Sequence, residues 1–267
     1  DFVSGDRAVE DADFVNRPGE VVRRIVFADG RLIVAADVQR LQRGRCDQAR
    51  RVGRVVVATS DQPGDDPIAA FCQAEGIDCF RGSLDDVLDR YHQAARRFGA
   101  RAVVRITADC PFCDPEVIDR VLARFLAGGC DYVSNVDPPT FPDGLDVEAF
   151  SAEALARAWR EATLASQREH VTPYLRTRPD RFRLANVAHP EDLSAWRWTV
   201  DEAQDLALAR AVFERLPAET FRMADVLALL EAAPELRALN AHIGRNEGYA
   251  ASVRDDRVLE PRERKGT

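Results

Sequence analysis

An α/β fold, with a mostly parallel sheet flanked by helices and a helical C-terminal extension, is what this 267-residue sequence predicts. Three observations carry the prediction. From residue 54 onward, short apolar β-branched runs alternate with longer stretches of 3.6-residue periodicity, the pattern of a parallel sheet with helices packed on its faces. Helix start and stop residues fall between those runs. Beyond Pro217 the pattern is wholly helical.

The elements follow in order. Strands are expected at 54–58, 77–80, 101–106, 131–134, 146–150, 182–187 and 196–199, each short, apolar and rich in β-branched or aromatic residues. Ser83 followed by Asp86 resembles a capping box for a helix that runs to Phe98 and stops at Gly99. Pro115 suits the first turn of a helix over 115–127, ended by Gly128 and Gly129. Ser151 can cap a helix through Glu161. Asp201 can cap a longer one through Leu216, with Leu206, Ala209, Val212, Phe213 and Leu216 as its apolar stripe. Helical segments are expected near 224–232 and 234–243. The charged stretch 253–267 is expected to be a loose tail, leaving 17–252 as one domain.

Composition excludes several classes. A hydrophobic fraction of 46% with 31% charged residues belongs to a chain that folds. The net charge of -8 argues against a nucleic-acid binder, which needs a basic surplus against phosphates. No apolar run approaches the roughly 18 residues of a membrane helix, and the polar start lacks the basic-then-apolar pattern of a secretory leader. The expectation is a cytoplasmic protein with neither nucleic acid nor membrane as partner. A chain that opens on Asp1 rather than Met reads as a fragment or a processed product. The six cysteines include one Cys110-Pro-Phe-Cys113 pair, but Pro111 intervenes and Asp114-Pro115 opens the next helix, which argues against redox chemistry.

In a parallel sheet, ligands bind beyond the carboxyl ends of the strands. Three polar segments lie there: Thr59-Ser60-Asp61, Thr107-Ala108-Asp109 and Thr199-Val200-Asp201. Two carboxylates at separate strand ends can hold Mg²⁺, which takes hard oxygen ligands and typically only one or two from protein. Asp109 and Asp201 are the candidate pair. The alternative gives both local duties, Asp109 shaping a turn before Pro111 and Asp201 capping its helix.

The ordered motifs 85–91, 105–111, 132–135, 143–148, 168–174, 197–201 and 246–249 resemble the SpsF family of spore coat polysaccharide biosynthesis, relatives of the CMP-sialic acid and CMP-KDO synthetases. The resemblance covers roughly 54–252. It implies a Rossmann-like nucleotidyltransferase that moves CMP from CTP to an acidic sugar, releasing pyrophosphate with Mg²⁺ as cofactor. Asp109 and Asp201 match the family's metal-binding, catalytic aspartates. Thr59, Ser60, Asp61, Arg81 and Arg105 match the nucleotide side, although either arginine could instead be salt-bridged. Asp143, Gly144, Asp146, Glu148, Glu169 and His170 match the sugar side, with His170 alternatively a hydrogen-bonded core residue. His92, His189 and His242 are taken as structural. The resemblance also implies a homodimer.

The first 53 residues depart from the family. Where a loop of the form Gln-Ala-Arg-x-x-Ser-x-Arg-Leu-Pro-Gly-Lys should cradle the triphosphate, this chain has Asn16-Arg-Pro-Gly-Glu20. An acidic residue there opposes a phosphate chain. The stretch 21–27 is the candidate replacement for the first central strand. A rival reading is therefore a catalytically inactive binding protein of the same fold. A glycosyltransferase with an Asp-x-Asp metal motif is a third reading, weakened because Asp109-Cys110-Pro111 supplies no second Asp.

Overall fold

The computed structural model describes residues 25–29, 32–34, 45–217, 220–245 and 247–259. The stretch 16–20, which stands where the family's triphosphate loop should be, lies outside the described residues.

Eight strands form one sheet in the order β4-β3-β1-β2-β5-β7-β6-β8. They are β1 (Ile25–Asp29), β2 (Leu32–Val34), β3 (Val52–Ser60), β4 (Asp78–Gly82), β5 (Ala102–Arg105), β6 (Tyr132–Ser134), β7 (Glu148–Ser151) and β8 (Leu184–Asn186). β3 and β4 run parallel, as do β6 and β8, and β2 runs parallel to both β3 and β5. β7 is antiparallel to β5 and β6, so its first residues lie at the same edge as the carboxyl ends of those strands. β1 is antiparallel to β2, β3 and β5; with β2 it fills the position between β3 and β5. A strand at the expected 21–27 replacement thus begins at Ile25.

The helices are α1 (Asp66–Ala74), α2 (Val87–Arg97), α3 (Pro115–Leu126), α4 (Ala152–Glu161), α5 (Ala165–His170), α6 (Pro173–Arg176), α7 (Ala203–Phe213), α8 (Met223–Ala232), α9 (Pro234–Arg237) and α10 (Glu247–Arg254). Val56, Ala58, Val103 and Val104 of the sheet are buried with Tyr91 of α2, Ile118 and Val121 of α3 and Leu155 of α4. Burying each large aliphatic side chain contributes about 1.5–3 kcal/mol, which drives helices onto the sheet.

Local signals set most helix starts. Asp114 caps α3 through Glu116 N–H at 2.7 Å, ahead of Pro115, and Ser151 caps α4 through Ala154 N–H at 3.0 Å. α2 starts later than the Ser83 signal implies. Ser83 Oγ accepts the N–H of Asp86 in the preceding turn, and the cap is Asp86, which accepts from Asp89 N–H at 2.9 Å. In α7 the buried stripe is Leu208, Ala209 and Val212, whereas Leu206 is exposed. The helix expected over 234–243 is only α9, a single turn.

Two expectations need correction. The segment 196–199 is not a strand; it makes one isolated bridge, between Arg197 and Asp143, because its backbone groups are taken by loops. The tail is not loose from 253: Arg257 O accepts from Ala165 N–H at 2.9 Å, Leu259 N–H donates to Thr163 O at 2.7 Å, and Asp256 accepts from Ser166 Oγ at 2.6 Å. Residues 260–267 lie outside the described residues. No helix among the described residues is long and apolar enough to cross a membrane.

Candidate active site

β5 ends at Arg105, and the chain continues through buried Ile106 to half-buried Asp109. The Asp109 carbonyl accepts from Val200 N–H at 2.8 Å and from Thr199 Oγ1 at 3.2 Å. The same segment is laced to a third loop. Asp143 N–H donates to Trp196 O at 2.8 Å, and Trp198 N–H donates to Asp143 O at 2.7 Å. These bonds hold three stretches far apart in sequence against one edge of the sheet.

Gly144 makes the close approach possible. Its φ is +100°, and a Cβ there would lie 2.6 Å from Thr199 N and 2.6 Å from the Trp198 carbonyl carbon. Any side chain would meet backbone, not a movable side chain, so only glycine keeps the two loops in contact.

Asp201 is not the helix cap that its position suggests. The cap position falls on Glu202, and buried Asp205 in the first turn supplies the reciprocal half of a capping box, its Oδ2 accepting the N–H of Asp201 at 3.1 Å and of Glu202 at 3.0 Å. Asp205 is fixed in turn by a two-pronged pair with Arg197, at 2.9 and 2.7 Å, and by Asn240 Nδ2 at 2.7 Å. Relieved of capping, the Asp201 carboxylate faces Arg197 Nη2 at 2.9 Å and Thr199 Oγ1 at 3.5 Å. Asp143 lies 3.7 Å from Arg197 and 3.9 Å from Arg245, and Arg245 pairs with Asp146 at 2.6 Å.

Carboxylates therefore outnumber guanidiniums here, and the imbalance appears in their acidity. Burial and the charge of Asp109 push Asp201 up to about 6. Burial and Asp146 push Asp143 up to about 7, against the opposing pull of Arg245 and Arg197. Burial also raises Asp146. Elevated values of this kind mark carboxylates whose ionisation is opposed first by burial and then by neighbouring carboxylates. The donor set of hard oxygens fits a divalent cation. Among the described residues no group of three or more His, Cys, Asp or Glu is placed to hold a metal ion by itself.

The other expected site residues divide into groups. Glu148 begins β7 opposite Arg105, and the two form a buried ion pair; Glu148 also accepts from Tyr132 Oη at 2.6 Å. Burial raises the Glu148 value, but Arg105, Thr172, Tyr132 and Arg176 outweigh it, leaving the group lowered and ionised. Arg105 thus takes the salt-bridged alternative. Thr59 and Ser60 end β3 buried, both bonded to Asp65, while Asp61 is exposed and donates its N–H to Gly82 O at 2.8 Å. Arg81 braces this turn, donating to Ser60 O at 2.9 Å and Gln62 O at 2.8 Å and pairing with Asp66. This group lies at the same edge of the sheet but has no bond to the aspartate cluster among the described residues.

Glu169 and His170 end α5, where His170 meets Tyr249 edge-on at 4.9 Å. Val171 has φ +70° and ψ -59°, and Thr172 N–H donates to His170 O at 2.8 Å, a tight γ-turn that a β-branched residue adopts only under strain. The turn sets Thr172 against Glu148. Cys110 and Cys113 do not pair: Cys110 Sγ is 3.2 Å from Thr107 Oγ1 and Cys113 Sγ is 3.7 Å from Cys46 Sγ. All six cysteines are free thiols.

Sequence reasoning missed Asp205, Arg245 and Asn240. The part of Arg197 beside Asp201 had a usable signal in their i, i+4 spacing. Arg245 reaches its partners across about a hundred residues, and nothing local announces it.

The chain is similar to known proteins over most of its length. A cytidylyltransferase family model matches residues 38–237. The spore coat polysaccharide biosynthesis protein SpsF of Bacillus subtilis is 32% identical over 201 residues, which is 74% of this chain and 81% of that protein. An uncharacterised protein of Methanocaldococcus jannaschii is 31% identical over 207 residues, 77% of this chain and 84% of its own length. Among solved structures, a cytidylyltransferase from Leptospira borgpetersenii superposes with a TM-score of 0.70 at 26% identity, covering 74% of this chain and 84% of that one. The CMP:2-keto-3-deoxy-manno-octonic acid synthetase, solved with CTP, shares the fold with a TM-score of 0.50 at 15% identity, covering 67% and 88%. This chain, a homologue of SpsF, belongs to the cytidylyltransferase family.

Proposed function

We propose that the protein transfers a cytidylyl group from CTP to a hydroxyl of an acidic sugar in glycan or polysaccharide biosynthesis, releasing pyrophosphate, with Mg²⁺ as cofactor. The observation that carries this reading is the pairing of Asp109 with Asp201, whose capping duty has passed to Asp205. An aspartate relieved of capping and set beside a second one supports a metal site there. Asp109 and Asp201 would hold the metal, which when bound would supply positive charge against the phosphates.

The chain's own residues orient the partners. The acceptor oxygen must approach the α-phosphorus in line with the departing pyrophosphate, so positioning and charge neutralisation dominate. Thr59, Ser60 and Asp61, braced by Arg81, offer backbone to the cytosine edge. Arg105 orients Glu148 rather than meeting the nucleotide itself. Asp143, Gly144, Asp146, Glu148, Glu169 and His170 border the acceptor side. SpsF by its name serves polysaccharide synthesis, and the octonic acid synthetase acts on an acidic sugar, which supports the substrate class. A cytoplasmic homodimer completes the reading.

The test is Mg²⁺-dependent pyrophosphate release from CTP with candidate ulosonic and nonulosonic acids. Release that needs both metal and acceptor is expected. A folded protein that binds CTP but turns over with none of them favours the inactive binding protein suggested by Glu20.

A further inference from the structure

Beyond β7 the sheet continues through β6 and β8, whose carboxyl ends lie at the same edge as Asp109. A pocket of about 180 Å³ opens there, lined by Tyr132, Ser134, Asp137, Arg176, Leu184 and Asn186 among others. Arg176 is its cation. It ends α6 and rests over the Tyr249 ring at 4.7 Å. Near the carboxyl edge of β5, Arg105, Arg197 and Arg245 each have a carboxylate partner. The Arg176 side chain makes no hydrogen bond or ion pair among the described residues; its charge acts on nearby Glu148, and its guanidinium fork rests on an aromatic face with N–H groups to spare. A half-buried fork of that kind matches a carboxylate or phosphate two-pronged.

One wall of the pocket is tied to the carboxyl end of β5. Tyr132, on that wall, donates its hydroxyl to Glu148, which pairs with Arg105. Ser134, Glu148 and Arg105 lie in one cross-strand row, so the pocket is two strand spacings, about 10 Å, from the end of β5. That span is comparable with one extended sugar. Asn186 shapes the wall rather than waiting for ligand, donating to Pro138 O at 2.8 Å and accepting from Asp137 N–H at 3.3 Å. Asp137 is on the exposed rim, where water and salt screen its charge.

We propose that this pocket is the distal acceptor subsite and that the Arg176 guanidinium recognises an oxyanion, carboxylate or phosphate, carried by the acceptor sugar. The proposal rests on the cytidylyl-transfer reading, to which it adds a specificity-determining residue. Tyr249 positions Arg176, which gives the C-terminal helix α10 a part in acceptor recognition.

Calorimetry on the full chain tests it with glucuronate, glucose 6-phosphate and glucose as probes, in the wild type, Arg176→Ala and Arg176→Lys, with Mg²⁺ and CTP titrated separately. At least one of the two anions should bind the wild type about tenfold or more tighter than glucose, and the tighter one identifies the oxyanion. Arg176→Ala should bring that anion to the level of glucose, and Arg176→Lys should retain part of the affinity because it keeps the charge without the fork. CTP affinity and melting temperature should be unchanged. Anion binding that is absent in the wild type, equal to that of glucose, or indifferent to Arg176→Ala overturns the proposal. Anion binding at Arg176 without CTP binding rejects the cytidylyl reading and leaves the pocket standing.

Discussion

At the scale of single residues, the site is a surplus of carboxylates held short of cations. Asp109→Asn or Asp201→Asn should lower pyrophosphate release by about a hundredfold or more with little change in melting temperature, as loss of electrostatic stabilisation at a reacting phosphate requires. The acidity of Asp143 and Asp201 gives a second expectation, for the metal-free protein. Their folded values are pushed up to about 7 and to about 6, above the ordinary carboxylate value. Their contribution to stability is therefore fully present below about pH 4 and lost as pH rises through those values. Thermal melts between pH 5 and 8, about two units around each group, should show Tm falling with pH. Asp143→Asn should flatten that slope; an unchanged slope removes the electrostatic account. Asp109 and Asp201 were legible in the sequence because both follow a β-rich run and precede a helix signal. Asp205 was not, since Asp201 already offered itself as the helix cap and only the folded backbone shows which carboxylate does the capping.

At the scale of elements, the decisive feature is a loop contact rather than a strand. The expected strand at 196–199 fails because its donors and acceptors are spent on Asp143 and Asp109, which converts a ladder into a clasp. Apolar, aromatic Trp196-Arg197-Trp198 reads as a strand in isolation, so the clasp was invisible. Gly144 was legible as a turn, but the reason for it lies 2.6 Å away in Thr199 and Trp198. Gly144→Ala should cost at least about 1–3 kcal/mol of stability through its positive φ alone, read as a fall in Tm of several degrees. It should weaken CTP binding at the same time. Asp205→Ala should be more severe, about 3–5 kcal/mol, because it strands a buried guanidinium together with two backbone donors. Denaturant unfolding measures it, and a loss under 1 kcal/mol contradicts the capping role. Helix starts at Asp114 and Ser151 were legible because capping is local. The start of α2 was not, since Ser83 and Asp86 are both plausible caps by type and the turn before the helix chooses between them.

At the scale of the whole molecule, alternation of apolar runs with amphipathic ones was enough to read an α/β sheet, and ordered motifs were enough to read the family. The strand order was not legible: periodicity carries no sign of direction, so the antiparallel β7 could not be told from its neighbours. Yet β7 is what brings 143–148 to the carboxyl edge of β5 and places Asp143 and Asp146 near Asp109. The family membership and the joined aspartates lead to one claim, that Asp109 and Asp201 bind CTP through a divalent cation. Calorimetric titration of CTP into the wild type, Asp109→Ala and Asp201→Ala, with and without Mg²⁺, tests that claim most directly. The account predicts metal-dependent CTP binding in the wild type that is lost in both variants while each still melts at the wild-type temperature. CTP binding that is independent of Mg²⁺ and indifferent to both substitutions contradicts it.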